Sequence, residues 1–227
     1  MARRRGPHHA LPSAATSDAA HPASQARHAE AGRVEAFSDG VFAIAITLLV
    51  LELRLPPLPA RPTDADLLQA LLNLEPTLLS YLISFLVIGS FWLSHHRFFR
   101  TVERVTPRLL VLNLLLLLCV SFLPFPTAVL GTYGDLAVAE DLYAASMALA
   151  GLCGLAMLWY ADRAHLLDPG RLGVPRRLAY ARALVVPLVA AVVVVLAAIW
   201  PAEAAYGWVL IGVLNVALSR VRAVRYP

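Results

Sequence analysis

The sequence predicts an all-helical, polytopic membrane protein with six transmembrane helices per chain, on three observations: composition, the length of its apolar runs, and the placement of its arginines. Of 227 residues 59% are hydrophobic, and the mean hydropathy is positive. A chain this apolar falls outside the range of ordinary soluble domains. Six apolar runs, at about 36–54, 76–97, 107–129, 139–160, 180–199 and 204–219, each approach the roughly 17–25 residues that a helix needs to cross a ~30 Å hydrocarbon layer. Backbone groups inside a bilayer must be satisfied within the segment, which makes these runs helices; barrel strands would be shorter and would alternate. No lysine occurs, so all 19 basic residues are arginine. Seventeen of them fall in the N-terminal tail, the second-to-third and fourth-to-fifth connections and the C-terminus, against only Arg54 and Arg61 on the other side. The positive-inside rule then places both termini in the cytoplasm. The outer connections hold Asp64, Asp66, Asp135, Glu140, Asp141 and Glu203 and are mildly acidic.

Taken in order, residues 1–30 are rich in Ala, Ser, Pro and His and nearly free of large apolar side chains. They are expected to be a disordered cytoplasmic tail, because they cannot bury enough surface to offset the entropy of ordering. Residues 31–227 form the expected six-helix membrane domain. A proline cluster at Pro56, Pro57 and Pro59 ends the first helix near Arg54. Thr63 or Asp64 can then cap a short helix bearing Leu67, Leu68, Leu71 and Leu72. In the third run, Asn113 and Ser121 suit hydrogen bonds between helices. Pro124, Pro126 and Pro187 suit helix ends or kinks, and Trp200 and Trp208 an interfacial belt.

Several chemistries are excluded at this level. The segment "GTYGD", Gly131–Asp135, is the kind of string found in carbonyl-lined potassium filters, but a short turn between two spans leaves no room for a re-entrant loop and pore helix. No phosphate-binding loop, metal-spaced His pair with Glu, or nucleophile elbow occurs. His95 and His96 are adjacent, so they diverge by about 100° on a helix and cannot share one metal in the usual way. Cys119 and Cys153 lie in apolar runs as small hydrophobes. Neither an enzyme nor a resident cofactor is expected.

The first helix carries the most information. Asp39 and Glu52 bracket twelve residues, ~18 Å of helix at 1.5 Å per residue, so the membrane-crossing segment must extend past both charges. A carboxylate held inside the bilayer costs at least ~2.5–3.5 kcal/mol, which turns Asp39 toward protein or water unless it merely starts the helix at the interface. Ile44, Leu48 and Leu51 share one stripe with Thr47 beside it, and Asp39 projects about 140° away from Ile44. By pattern alone the stripe reads as bundle core packing.

Arg33, Phe37, Ser38 and Asp39 spell R-x-x-x-F-S-D, which resembles the signature of the transmembrane protein 175 family of potassium channels. "FWLSHHRFF" at 91–99 and "LNLLLLLCVSFLPFPTAVLG" at 112–131 are similar to that family's second and third helices. The likeness covers about residues 33–131; the later helices agree in number and topology only.

This resemblance implies a homotetramer of six-helix chains in a prokaryotic plasma membrane, conducting potassium ions through a pathway lined by the first helices. Ile44, Leu48 and Leu51 would form an apolar constriction, their rings about 6 Å and 4.5 Å apart by helical rise, gating by dewetting. Thr47 would supply the nearest oxygens, and Glu52 could gather cations at the outer mouth. Arg33, Phe37, Ser38 and Asp39 would pack away from the pore, in a network with Trp92 and His95 or His96. The lipid bilayer and the permeant potassium ion are the expected partners, and no nucleic acid. Two competing classes remain: a secondary transporter, for which no inverted repeat or broken midplane helix is evident, and a non-conducting membrane scaffold.

Overall fold

The structure, a computed structural model, describes residues 22–168, 170–200 and 204–225, and among these every extended regular element is a helix. Residues 1–21, most of the segment expected to be disordered, and Glu203 lie outside the described residues. Helix α1 spans Pro22–Leu48. It therefore takes in residues 22–30, read from sequence as tail: Pro22 suits a first helical position, and the Ala-, Gln-, Arg- and Glu-rich residues after it favour helix without needing a core. The helix tightens into a 3-10 turn over Leu49–Glu52 and stops at Leu53, ahead of the prolines.

Helix α2 spans Asp64–Leu72 and opens with a reciprocal capping box: Thr63 Oγ1 accepts from the Asp66 amide at 3.2 Å while Asp66 Oδ2 accepts from the Thr63 amide at 2.8 Å. The Thr63 hydroxyl also donates to Asp66 Oδ2 at 2.6 Å, and this bond, followed by that from the Thr63 amide, holds the Asp66 carboxyl below its ordinary range. Leu67, Leu68, Leu71 and Leu72 are all exposed on the chain. Helix α3 covers Glu75–Phe99.

The third apolar run is two helices, α4 over Pro107–Phe122 and α5 over Pro124–Tyr133, separated at Leu123. Pro124 and Pro126 cannot donate to the carbonyls one turn back, so the helical ladder is interrupted there. Gly131 and Tyr133 belong to the last turns of α5, and the Gly131 carbonyl accepts from Thr77 Oγ1 at 3.0 Å. "GTYGD" is thus the end of a helix packed on α3. Helix α6 spans Ala137–Arg163, and α7 spans Arg176–Ala197 with Pro187 inside it. A 3-10 turn, Ala205–Trp208, leads into α8, Val209–Arg225.

Five helical segments are long and apolar enough to cross a membrane: Glu30–Glu52, Glu75–Phe99, Pro107–Tyr133, Ala137–Arg163 and Arg176–Ala197. The sixth apolar segment, Tyr206–Leu218, forms a shorter apolar helix. Cross-helix bonds show that neighbours run in opposite directions. Asp39 pairs with Trp92 and Glu35 with His96; Thr106 meets Tyr160 and Cys119 meets Cys153. Asp162 bonds Tyr180, and Arg182 donates to the Leu218 carbonyl. This alternation gathers Arg97, Arg100, Arg104, Arg108, Arg163, Arg171, Arg176, Arg177 and Arg182 at one end of the bundle. There the 3–4 and 6–7 connections are laced by backbone bonds, Glu103 amide to Leu166 carbonyl at 2.9 Å and Asp168 amide to Thr101 carbonyl at 2.8 Å.

The core lies around α6, which packs on α4, α5 and α7. Tyr143, Ala144, Met147 and Ala150 of α6 and Val193 of α7 are fully buried. Pro187 approaches α6 at Gly151, where a Cβ would stand 2.7 Å from the proline Cδ. Only a glycine fits that crossing without movement of one helix. Cys119 and Cys153 have their sulfurs 4.0 Å apart, both thiols free and partly buried.

Candidate functional site: a two-faced first helix

Helix α1 packs on one side only. Ser38, Phe42, Ala45 and Leu49, spaced four, three and four apart, are at most 1% exposed and face α3 and α4. On the other side Phe37, Ile44, Leu48 and Leu51 are 58%, 60%, 40% and 60% exposed. The large aliphatics therefore do not form the core of this chain, which corrects the reading that the pattern alone favours.

Leu51 stands on the 3-10 turn rather than on α-helix. With three residues per turn and ~2.0 Å rise, Leu51 lies directly along the axis from Leu48 and about 6 Å from it, in place of the 4.5 Å expected of an α-helix. Thr47 is exposed beside the stripe, its hydroxyl donating to the Ile44 carbonyl at 2.9 Å and its oxygen still able to accept. Glu52 is half-buried at the end of the same turn.

The buried side of α1 is fixed by two polar tiers. In the first, Trp92 Nε1 donates to Asp39 Oδ1 at 2.8 Å, and the Trp92 ring stacks on His96, with centroids 5.8 Å apart and planes at 27°. His96 Nδ1 in turn lies 2.7 Å from Glu35 Oε1. In the second, Asn113 Nδ2 donates to Ser38 Oγ at 3.0 Å, and Ser38 Oγ donates to the Val34 carbonyl at 2.8 Å. Asn113 Oδ1 is 2.8 Å from His95 Nε2. An amide oxygen only accepts, so His95 must carry its proton on Nε2. Its ring is wedged between Phe42 and Phe99, with centroid separations of 5.4 and 4.6 Å.

Ser38, Asp39, Trp92, His95 and His96 are thus brought together, whereas Arg33 and Phe37 are not. Both are exposed, and Arg33 makes no hydrogen bond or ion pair among the described residues. The reason is phase: Arg33 precedes Ser38 by five residues, about 140° around the helix, and Phe37 lies about 100° from Ser38. Glu35 is the member that sequence reasoning missed. It sits four residues before Asp39, one turn along the same face, a spacing that could have exposed it.

Other expectations also change. Ser121 is exposed and bonds the Leu118 carbonyl of its own helix, so Asn113 alone of that pair links helices. Trp200 is exposed as a belt residue should be, but Trp208 is 1% exposed and donates to Glu140 Oε2 at 3.4 Å. Glu140, expected on the acidic outer face, is fully buried. It lies three residues into α6, one turn before Tyr143, and shares that inward face. Tyr143 packs edge-on against Trp208 at 4.9 Å and bonds Ser84, which accepts from Thr127. His95 and His96 point to different partners, and among the described residues no group of three or more His, Cys, Asp or Glu could hold a metal ion.

A rigidly anchored helix that turns an apolar stripe outward suits lining or packing. Comparison with known proteins gives the family. Residues 33–124 match the family model described as endosomal/lysosomal potassium channel TMEM175. A protein of Streptomyces collinus named a potassium channel is 46% identical over 145 residues, 62% of this chain and 69% of its own length. Another so named, from Chamaesiphon minutus, is 51% identical over 104 residues, 46% of this chain and 51% of its own length. The alignments thus span about half to two thirds of these relatives. A crystal structure described as a lysosomal potassium-selective channel TMEM175 homolog from Chamaesiphon minutus superposes with a TM-score of 0.68 at 31% identity, covering 86% of this chain and 98% of that one. The chain belongs to the TMEM175 family, whose members are ion channels and not enzymes.

Proposed function

We propose that this protein is a potassium-permeable channel of a prokaryotic plasma membrane, a homotetramer whose central pathway is lined by α1. Each chain crosses the membrane six times with both termini in the cytoplasm, residues 1–30 forming a cytoplasmic tail ahead of the channel domain at 31–227. The seventeen arginines of the tail, the two inner connections and the C-terminus support that orientation. The relatives named as potassium channels support the permeant ion.

The observation that carries the pore assignment is the exposed stripe of Ile44, Leu48 and Leu51, opposite the buried tiers that hold α1 in place. Four copies would set three apolar rings around the axis. A narrow apolar neck excludes water, and therefore ions, until it widens. Selection among cations would rest on the cost of dehydration at that neck, with Thr47 hydroxyls as the nearest acceptors. Potassium sheds water more readily than sodium, so it passes more easily, with modest discrimination because no dense oxygen cage surrounds it. Glu52 concentrates cations at the outer mouth.

The test is cation flux into liposomes reconstituted with purified protein, comparing potassium with sodium. Wild type should admit potassium faster. Ile44→Asn wets the neck and should raise flux to both ions and shrink their difference, and Leu48→Ala should do so more weakly. Absence of cation flux from wild type overturns the channel reading; flux indifferent to both substitutions overturns the pore assignment alone.

A further inference from the structure

Among the arginine-rich ends of α3, α6 and α7 the bundle leaves a cavity of about 710 Å3. Its walls change with depth. Arg97 and Arg100 from the end of α3, Arg171 from the 6–7 connection and Arg182 of α7 all line it. Arg182 is also bonded to the Leu218 carbonyl and Arg171 to Asp168. Among the described residues the only carboxylate in the lining is Glu35, which His96 already engages. Farther in, the walls are apolar, including Leu116, Leu155 and Val186, and the cavity reaches Gly151. That residue lies twelve positions before Arg163 at the end of α6, about 18 Å along the helix.

A further feature shows an unfilled throat. Gly154 lines it, and a Cβ there would meet nothing within 4 Å. A basic mouth over a deep apolar throat suits a ligand with an anionic head and a hydrocarbon tail. A small soluble phosphate would leave the throat without a partner, and a zwitterionic headgroup would bring a cation to the arginines. Basic pockets between membrane helices are a general means of holding anionic lipid headgroups.

We propose that this cavity is a binding site for an anionic phospholipid, its phosphate held among the arginines of the mouth and one acyl chain laid along the throat past Gly154. The lipid would tie the end of α3, which bears Trp92, His95 and His96, to α6 and α7.

The experiment is native mass spectrometry of the delipidated full chain, offered phosphatidylglycerol, phosphatidylcholine or glycerol 3-phosphate. Wild type should retain phosphatidylglycerol at least tenfold better than phosphatidylcholine and should not retain glycerol 3-phosphate. Gly154→Leu, which fills the throat, should lose phosphatidylglycerol at least tenfold, and Arg97→Gln with Arg100→Gln should erase the preference between the two lipids. Equal retention of both lipids by wild type, or glycerol 3-phosphate held as well as phosphatidylglycerol, overturns the proposal. So does undiminished lipid retention in a folded Gly154→Leu. If Gly154→Leu does not fold, the double arginine variant decides, since both of its side chains are exposed. The readout is binding, so it stands or falls apart from the channel reading.

Discussion

Asn113 joins more of the molecule than any other polar side chain around α1. It donates to Ser38 of α1 and accepts from His95 of α3, and it is 2% exposed. Asn113→Leu would keep the volume, leave the buried His95 Nε2–H without an acceptor at a cost of about 1–3 kcal/mol, and remove the donor to Ser38 Oγ, which keeps its bond to the Val34 carbonyl. The detergent-purified variant should unfold at a clearly lower temperature than wild type. Trp92→Phe should cost less, about 0.5–1.5 kcal/mol, because half-buried Asp39 can recover its lost hydrogen bond from water. Unchanged unfolding of Asn113→Leu would remove the anchoring role of the second tier. At this scale the sequence was informative where phase decides. It separated Ser38 and Asp39 from Ile44 and Leu48 correctly, since one helical period fixes both faces. It could not tell that Arg33 stands apart from the motif it helps to spell, because a motif records spacing and not which neighbour lies opposite.

Among elements, the α6–α7 crossing is set at Gly151, and its neighbour Gly154 has the opposite sensitivity. Gly151 and Gly154 are three apart on α6, yet a Cβ at 151 meets the rigid ring of Pro187 at 2.7 Å while a Cβ at 154 meets nothing. Gly151→Ala must displace α7 and should destabilise by about 1–3 kcal/mol. Gly154→Ala should be neutral or stabilise by up to about 1 kcal/mol, since glycine is the poorer helix residue. Thermal unfolding of the two variants side by side checks the sign of each; a Gly151→Ala as stable as wild type would mean that the helices slide freely. Five of the six spans were legible to within about six residues because length and hydropathy suffice for them, while the sixth apolar run is a shorter helix over Tyr206–Leu218. The division of the third run was legible as a helix end or kink at Pro124 and Pro126, each of which deletes a ladder bond, but not which of the two it would be. Neither the 3-10 turn at Leu49–Glu52 nor the burial of Glu140 was visible. The first depends on how the chain leaves α1, the second on Trp208, which arrives from 68 residues away.

For the whole molecule, a single chain leaves α1 half covered, and the identity of its missing cover separates a pore from a lipid-facing helix. The pore reading rests on the exposed stripe opposite the buried tiers, and proximity of that stripe to copies of itself tests it. In a tetramer closed around α1, residue 44 of four chains converges on the axis, whereas on a lipid face the four copies are far apart. Ile44→Cys, in a background with Cys119→Ala and Cys153→Ala, would place four thiols around the pathway. Soft thiolate ligands bind cadmium tightly when two or more converge. Micromolar cadmium should therefore suppress potassium flux through this variant at least tenfold, and a chelator should restore it. Ala45→Cys, one residue along and 1% exposed against the chain's own helices, should be insensitive. Cadmium-insensitive flux through an intact Ile44→Cys tetramer would place the stripe away from the axis and transfer the pore to another helix. Sensitivity at 44 without sensitivity at 45 would fix both the lining helix and its rotation, because the two positions differ by about 100° around α1.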